Sequence, residues 1–381
     1  MSYSDLQEHR YYGNDVTVPG NQADVLDGTK IASPTQAAYN RIRLGYDSID
    51  SLDVTDAAGT TTKTSANGST VTISYNYTDT TGTTPVNKTG NMNVTVYDSY
   101  DKWLEASTKT PKSYDIADGE AVLIRNTGEM VFSKTAADTL STNKASLDIS
   151  YTKTGFTNGE LRPEYYYNCT NITDTNNKLK YEKYDKDGNQ IYQDIDYVVA
   201  ANQTLTVNTE ASNVFDHGLS RDVDELIDAV QRSLDAEQKV TDLNAMKKMQ
   251  EYSSDDCQAK LEEWIAAAEK ERDYANDNMQ KLYNSYIGNC DTYLNKVNLA
   301  LTDVGSKGQS LALTKNRMSN EQETMEELKS KNEDRELSDI ILEYTAAYTA
   351  YQSSLQAASK VNQVTLLLSL IHISEPTRRV V

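Results

Sequence analysis

The chain of 381 residues carries a formal net charge of −20, and its aromatic residues are 26 Tyr against 3 Phe and 2 Trp. This charge would repel a phosphate backbone, so nucleic acid is not an expected partner. With 3 His and 3 widely separated Cys, we predict no catalytic site, no cofactor, no metal site and no disulfide framework. The first residues do not read as a signal peptide and no run of 18 apolar residues exists, so we expect no membrane partner and, for export, an unconventional route.

Residues 1–60 are predicted to form a mixed lead-in of strand and loop. Turn signals occur at Val18-Pro19-Gly20 and Ser33-Pro34. Beyond them, an apolar residue occupies every second position from Ile42 to Tyr46, which favours a half-buried strand. A short helix is the alternative that this stretch leaves open.

Residues 61–215 are predicted to form a variable outer all-β domain. The composition shifts to Thr, Asn, Asp, Ser, Gly and Tyr, and alternation with a period of two recurs in VTISYNY, MNVTV and LDISY. Hairpin turns are predicted at Asn126-Thr127-Gly128 and, between Tyr-rich strands, at Asp187-Gly188. Short strands with turns at this spacing indicate a sandwich or a barrel-like domain.

Residues 216–331 are predicted to form a long helical rod. No proline occurs from Leu219 to Leu367, and apolar residues recur in steps of three or four. Ser253-Ser254-Asp255-Asp256 is typical of an N-cap region, so the second part of the rod would begin near 257 and span about 110 Å. A rod of that length must pair with other helices. Together with the outer domain it predicts an α+β fold with coiled-coil helices.

The last predicted helix, residues 332–367, is the candidate functional element. The sequence Ser330-Lys331-Asn332-Glu333-Asp334 interrupts the helical pattern and places acidic residues at the next helix N-terminus, where the helix dipole favours them. Apolar residues then recur at two per seven, the spacing of a helix that packs along a partner helix, and a second stripe of small residues widens this face. The predicted assembly interface consists of Leu337, Ile341, Tyr344, Tyr348, Tyr351, Leu355, Ala358 and Val361.

Residues 368–381 are predicted not to be native. Positions 368–378 read LSLIHISEPTR, which looks like a translated sequencing adapter, and Pro376 and Arg378-Arg379 fit nothing before them. We therefore leave this tail, His372 included, outside the fold and expect the native C-terminus a few residues beyond Leu367. A natural frayed tail is the alternative.

Three further motifs are interpreted as structural. DKDGN (185–189) resembles the start of a calcium loop, but Lys183 and Tyr197 stand where ligands are needed, so a hairpin turn is predicted. Trp264 is interpreted as helix core, with a partner anchor as the alternative. Cys257 and Cys290 are expected to be small packing residues on the apolar face of the rod.

Several short motifs in the last 150 residues carry a family resemblance. They are Asp303-Val304-Gly305, Asn316-Arg317-Met318, Asn332-Glu333-Asp334 before Leu337, Tyr348, Tyr351-Gln352-Ser353-Ser354-Leu355, Lys360-Val361 and Thr365-Leu366-Leu367. With these motifs, residues 298–367 resemble the C-terminal part of the hook-associated proteins of the hook–filament junction, members of the bacterial flagellin family. Residues 202–215 (NQTLTVNTEASNVF) are similar to the family segment that leads back to the rod.

The resemblance implies a structural subunit that joins the flagellar hook to the filament. The implied partners are copies of the chain in a ring, the neighbouring hook-associated protein, flagellin and an export chaperone. The implied location is extracellular, at the hook–filament junction, after export by the flagellar secretion apparatus. The family begins with long N-terminal helices that pair with the C-terminal ones, whereas here Met1 leads into strand and loop sequence, so we expect that half of the coiled coil to be missing.

Two other functions are compatible with the sequence. The first is a flagellin-type filament subunit, although the terminal helix of flagellin usually has more Ala, Gln and Asn and lacks a Tyr-spaced seam. The second, from a different class, is a surface adhesin or fibre protein with a helical stalk. A sustained trimeric heptad with Ile at both core positions would favour the stalk, whereas the Tyr and Ala pattern and the break at 332–334 favour the junction subunit.

Overall fold

The computed structural model describes residues 1–80, 84–174, 176–186, 188–200 and 203–371. Helix accounts for 48% and strand for 22%, with the sheets in the N-terminal half and the long helices at the C-terminal end, which confirms the predicted α+β class. The chain forms two compact units, one of Met1–Gln193 with Thr209–Leu301 and one of Asp194–Asn208 with Thr302–Val381. The domain boundaries expected at residues 60, 215 and 331 stay predictions.

The elements of the described residues are numbered here in chain order. The strands are β1 (Gln7–Gly13), β2 (Thr35–Arg43), β3 (Ser51–Thr55), β4 (Thr61–Thr64), β5 (Ser69–Asp79), β6 (Val86–Tyr97), β7 (Ala121–Ile124), β8 (Glu129–Phe132), β9 (Ser146–Leu147), β10 (Ser150–Thr152), β11 (Cys169–Asn171), β12 (Leu179–Tyr181), β13 (Asp196–Ala200) and β14 (Gln203–Thr206). The helices are α1 (Gln22–Leu26), α2 (Tyr100–Glu105), α3 (Lys134–Thr142), α4 (Ala211–Val214), α5 (Gly218–Met246), α6 (Asp255–Glu333) and α7 (Leu337–Ile371).

Seven strands form one mixed sheet in the order β1-β2-β8-β7-β6-β5-β9. Consecutive strands run antiparallel at β1–β2, β5–β6 and β7–β8, although the long connection of residues 14–34 separates β1 from β2. Strands β6 and β7 run parallel instead, and the crossover between them contains α2. The outer region is therefore a mixed sheet with helices, rather than the sandwich or barrel that the turn spacing indicated.

The β7–β8 hairpin confirms the turn predicted at Asn126-Thr127-Gly128. Gly128 adopts a φ of 61°, in the left-handed region that glycine enters without steric cost. A Cβ atom at this position would lie 2.1 Å from the carbonyl oxygen of Tyr46. Close backbone approach and positive φ thus both require glycine here.

One face of the large sheet buries the main apolar core. Alternating side chains such as Ile73, Val94, Leu123 and Phe132 point to this face and pack with α3 and with Leu52 of the small β10-β3-β4 sheet. The opposite face carries an aromatic cluster, in which the ring of Trp103 in α2 lies 5.3 Å from Tyr11 and 4.7 Å from Tyr114.

Helices α5 and α6 form an antiparallel pair in the first unit. Near the connection between them, Val240 and Leu243 of α5 pack on Leu261 and Trp264 of α6. Residues 14–34 lie across this end of the pair. The Trp264 Nε1–H donates a hydrogen bond of 3.2 Å to the carbonyl of Val25.

Trp264 is 2% exposed, so its interpretation as helix core is confirmed. The expected lead-in of residues 1–60 therefore supplies two strands of the large sheet, including the strand predicted around Ile42, and a segment that completes a helical core. Helix α6 runs from Asp255 to Glu333, close to the predicted 257–330, and the break before Leu337 is present as predicted.

The chain folds back around the turn predicted at Asp187-Gly188, since the Asp185 N–H donates to the Asn189 carbonyl at 2.9 Å and the Ile191 N–H donates to the Lys183 carbonyl at 2.8 Å, but the longer strands expected on either side do not pair with each other. The Asn189 N–H donates a 2.8 Å hydrogen bond to the Asp185 carboxylate, and an isolated bridge joins Tyr184 to Gln190. The flanking strands find other partners, because β12 pairs with β11 and β13 pairs with β14. Asp187 itself lies outside the described residues.

Candidate assembly interface

The terminal helix α7 begins after a short break at residues 334–336. Asp339 lies in its first turn, where an acidic side chain interacts favourably with the helix dipole. Hydroxyls along the helix donate to the carbonyl four residues earlier, as Thr349 does to Thr345 at 2.7 Å and Ser353 does to Thr349 at 2.8 Å. Because these hydroxyls already have a hydrogen-bond acceptor within the helix, they need no acceptor from solvent or from a partner.

The eight residues of the predicted interface all lie on α7 with their side chains exposed. Among the larger ones, exposure runs from 48% for Tyr348 to 72% for Leu337. Seven of the eight follow the 4-3 spacing and share one side of the helix. We call these seven the tyrosine seam: Leu337, Ile341, Tyr344, Tyr348, Tyr351, Leu355 and Ala358.

Val361 belongs to a neighbouring face rather than to the tyrosine seam. At about 100° per residue, it lies about a third of a turn from the seam centre. Within the seam, the rings of Tyr344 and Tyr348 stack with centroids 6.0 Å apart and planes 12° apart. The burial of the seam by a partner stays a prediction, because its side chains face solvent in the single chain.

Helix α7 is almost free of charge. Its sequence contains only Asp339, Glu343 and Lys360 as charged residues, which sum to −1 (two acidic, one basic). Glu343 accepts a 2.7 Å hydrogen bond from Arg335, and this bond lowers the pKa of Glu343 and raises that of Arg335. In a chain of net charge −20, α7 is therefore a segment where two copies can meet with little repulsion.

The C-terminal part of α6 also exposes apolar residues at a constant interval. Val304, Leu311, Met318 and Met325 follow one another every seven residues, and each is exposed. A sustained seven-residue step is typical of a helix in a coiled coil. The pairing of the rod with another helix stays a prediction, and this seven-residue step is the feature of residues 302–333 that such a helix would cover.

The two cysteines of α6 differ in environment. Cys257 is buried, in agreement with its interpretation as a packing residue, whereas Cys290 is exposed and the prediction for it is wrong. At that level of the helix Asn289 and Tyr293, rather than Cys290, face Asp222 of α5, with hydrogen bonds of 2.9 Å each.

A second constellation of functional groups lies between β2 and the helix pair. Arg41, which is 2% exposed, donates from Nη1 to Glu129 at 2.8 Å and from Nη2 to both carboxylate oxygens of Glu225 at 2.7 Å. Tyr286 of α6 lies 3.0 Å from the same Nη2 and donates its hydroxyl proton to Glu225. One guanidinium thus connects the sheet to both helices.

Arg43 and Arg221 extend this ion network. Arg43 pairs with Asp222, which is fully buried, and Arg221 donates to the carbonyls of Leu44 and Thr127. Arg41 and Arg43 are thus each paired with carboxylates, as buried charges require, whereas Arg221 is bound by backbone carbonyls. We interpret the network as the joint that fixes α5 and α6 on the sheet.

The ion network fixes the ionisation of His9 and Glu225. Burial, assisted by Arg41, lowers the pKa of His9 to about 4, so the imidazole is neutral at pH 7. Burial opposes the ionisation of Glu225, but Arg41 and His9 outweigh it and bring the pKa of Glu225 to about 2. The two side chains are in contact, with His9 Nδ1 3.4 Å from Glu225 Oε1.

Sequence reasoning did not find the ion network. The alternation of β2 identifies a strand, but it does not reveal that α5 covers the face that carries Arg41 and Arg43. The available signal was a pair of arginines in one strand together with Asp222 and Glu225, which lie one turn apart on α5.

No group of three or more His, Cys, Asp and Glu side chains within the described ranges is arranged to hold a metal ion. None of the helices in that part of the chain combines the length and apolar character needed to cross a bilayer.

Comparison of the chain with protein-family models, with curated proteins and with solved structures finds no match. The geometry of the terminal helix and the motifs that it carries are therefore the features that bear on function.

Proposed function

We propose that this chain is a structural subunit of the bacterial flagellum that joins the hook to the filament. It assembles through α7 with copies of itself in a ring, and its neighbours are the adjacent hook-associated protein and flagellin. An export chaperone holds it before the flagellar secretion apparatus delivers it to an extracellular position. It acts by packing, not by catalysis.

The exposed tyrosine seam is the observation that carries this proposal. A fully buried Leu, Ile or similar side chain stabilises a structure by about 1.5–3 kcal/mol relative to an exposed one. The larger residues of the seam are at least 48% exposed, so in the single chain they do not contribute the free energy that full burial would give. A partner surface that covers the seam would recover it, and polymerisation supplies that surface in many copies.

The position of the seam gives further support. It begins directly after the Asn332-Glu333-Asp334 break, and the motifs that resemble the flagellin family occur on α6 and α7 on both sides of that break. The seven-residue step of exposed residues on α6 fits a rod in the layer next to the terminal helices.

A chimera tests the proposed function. Residues 202–367 replace the corresponding part of a junction protein, and the chimera is expressed in strains that lack either the junction protein or flagellin. We expect swimming to return in the junction-protein deletion, and Tyr348→Glu in the chimera to abolish it, because a charge in the seam must be desolvated on assembly.

The matched control is Gln356→Glu, an exposed position on a side of α7 outside the seam. Swimming is expected to survive this change. If the chimera is exported but restores only the flagellin deletion, the chain is a filament subunit, and if it restores neither strain the proposal is wrong.

A further inference from the structure

Helix α6 contains two glycines, Gly305 and Gly308, in an exposed stretch of the helix. A Cβ atom added at either position would have no heavy atom of the described residues within 4 Å beyond its own turn of helix, and neither glycine has a positive φ. Unlike at Gly128, neither crowding nor backbone conformation requires glycine here. In an exposed helix, one glycine in place of alanine raises the equilibrium constant for local opening about fivefold, which is about 1 kcal/mol.

The residues around these glycines are also weak helix formers. We call residues 302–310 the glycine segment; its sequence is TDVGSKGQS, in which Lys307 and Gln309 rank high in helix propensity. Gly305-Ser306 is a Gly/Ser pair, a feature at which helices kink sharply. Lys307 pairs with Asp303 at 2.6 Å, but an exposed ion pair at this spacing changes helix stability only about twofold.

On the N-terminal side of the glycine segment, α6 is held by tertiary contacts. Tyr293 donates a 2.9 Å hydrogen bond to Asp222 of α5, and Lys296 donates one of 2.6 Å to Asp216. Gly288, which precedes these residues, also has open space around it. Here the tertiary contacts oppose opening of the helix, so this glycine weakens α6 without allowing it to bend.

On the C-terminal side, α6 again combines a tertiary contact with stronger helix formers. The Nη2 of Arg317 donates a 3.2 Å hydrogen bond to the carbonyl of Val199. Leu311-Ala312-Leu313, which directly follow the glycine segment, all have high helix propensity. The weak stretch is therefore bounded on both sides.

The glycine segment itself has little support from other elements. None of its nine residues, all of which lie in the described ranges, is buried. Lys307 donates a 3.2 Å hydrogen bond to the carbonyl of Asn208, and its long flexible stem lets this bond persist when the helix backbone moves. Helix α6 passes from the first compact unit to the second at the start of this segment, between Leu301 and Thr302.

We propose that the glycine segment is a hinge, at which α6 opens locally and bends while the helix on either side stays intact. Hinges consist of a few residues, often small ones, that absorb a change of backbone dihedral angles between rigid elements. The two glycines together make local opening about 25-fold more favourable than two alanines would. The hinge is a property of the single chain, so its test does not depend on the proposed assembly role.

Hydrogen exchange of the full chain, at concentrations where it is monomeric, tests the hinge. We expect the amides of the glycine segment to have at least about tenfold lower protection than the helical residues on either side of it. Gly305→Ala together with Gly308→Ala should raise this protection about 25-fold, whereas the control Gly288→Ala should leave it unchanged. A steady loss of protection from residue 296 to residue 333, typical of a fraying helix end, would overturn the inference, and so would a double variant without effect.

The distance between two spin labels measures the bending itself. The background carries Cys169→Ser and Cys290→Ser and retains the buried Cys257, and Asn284→Cys and Asn320→Cys place the labels at exposed positions on either side of the hinge. A straight helix would separate them by about 54 Å. We expect a broad distribution that extends to shorter distances and that narrows in the double alanine variant. A single narrow distance near that of the straight helix, with both glycines present, would show that α6 does not bend here and would overturn the inference.

Discussion

Replacing Arg41 by Met removes the cation that joins the sheet to the helix pair. Arg41 makes four hydrogen bonds of 2.7–3.0 Å to Glu129, Glu225 and Tyr286. Methionine has a similar apolar stem, so the change leaves the buried Glu129 carboxylate without its cation and leaves Glu225 with only the longer pair to Arg43, at 3.6 Å. Breaking a buried ion pair from one side costs about 3–5 kcal/mol, a large part of the 5–15 kcal/mol that stabilises a typical domain.

The two tryptophans provide one probe for each side of the joint. Trp103 lies in the aromatic cluster of the sheet and Trp264 in the core of the helix pair. Urea unfolding is followed by fluorescence of Trp103 in a Trp264→Phe background and of Trp264 in a Trp103→Phe background. We expect Arg41→Met to lower both midpoints by about 1–2 M, given typical slopes of 1–3 kcal/mol per M.

Two further variants decide the interpretation of this result. Lys102→Met removes an exposed pair with Glu105 (2.8 Å) and should leave both midpoints unchanged. The triple variant Arg41→Met, Glu129→Met, Glu225→Met removes the charges together and should recover much of the loss. Midpoints for Arg41→Met within error of the unchanged chain would refute the assignment of the network as the joint.

Three other changes have definite expected outcomes. The pKa of His9 falls from 6.5 to about 4 on folding, so between these pH values the unfolded chain binds a proton at His9 and the folded chain does not. The free energy of unfolding should therefore drop by about 3 kcal/mol as the pH falls from 6.5 to 4. In urea titrations at several pH values, His9→Gln should remove this part of the pH dependence. Gly128→Ala combines a positive φ with a Cβ atom 2.1 Å from the Tyr46 carbonyl oxygen, and it should lower the free energy of unfolding by more than about 2 kcal/mol. Gly59→Ala, where φ is also positive but no atom lies within 4 Å of the added Cβ, should lower it by roughly half as much. Equal midpoints of the two variants in thermal unfolding would contradict the steric argument. Tyr348→Glu should change the monomer's unfolding free energy by less than about 0.5 kcal/mol because the side chain is exposed, yet prevent sedimentation of assemblies.

Local periodicity was sufficient to predict the long helices and several strands. The seam of α7, the extent of α6 and the β7–β8 turn all depend on residues close in sequence, and the structure places these elements near the predicted positions. The α+β class follows from the change of period between the two halves of the chain. These features need no knowledge of what each element packs against.

Features that depend on distant contacts were not predicted. Strand β12 pairs with β11 rather than with a strand that follows Gly188. Which of two strands β12 pairs with depends on competition between them, and a local turn signal does not show the outcome. Residues 14–34 cover the helix pair through Val25 and Trp264, 239 positions apart. The ion network likewise joins Arg41 to Tyr286 over 245 positions, so no sequence window contains both ends.

The exposed state of α7 before assembly is the central claim, and hydrogen exchange measures it most directly. Amide exchange of residues 337–361 is compared between the full chain as a monomer and the same chain in sedimented assemblies. We expect weak protection in the monomer, since the helix has no partner, and strong protection in the assembly. Strong protection in the monomer, or equal protection in both states, would contradict the claim that α7 is ordered by packing against further copies.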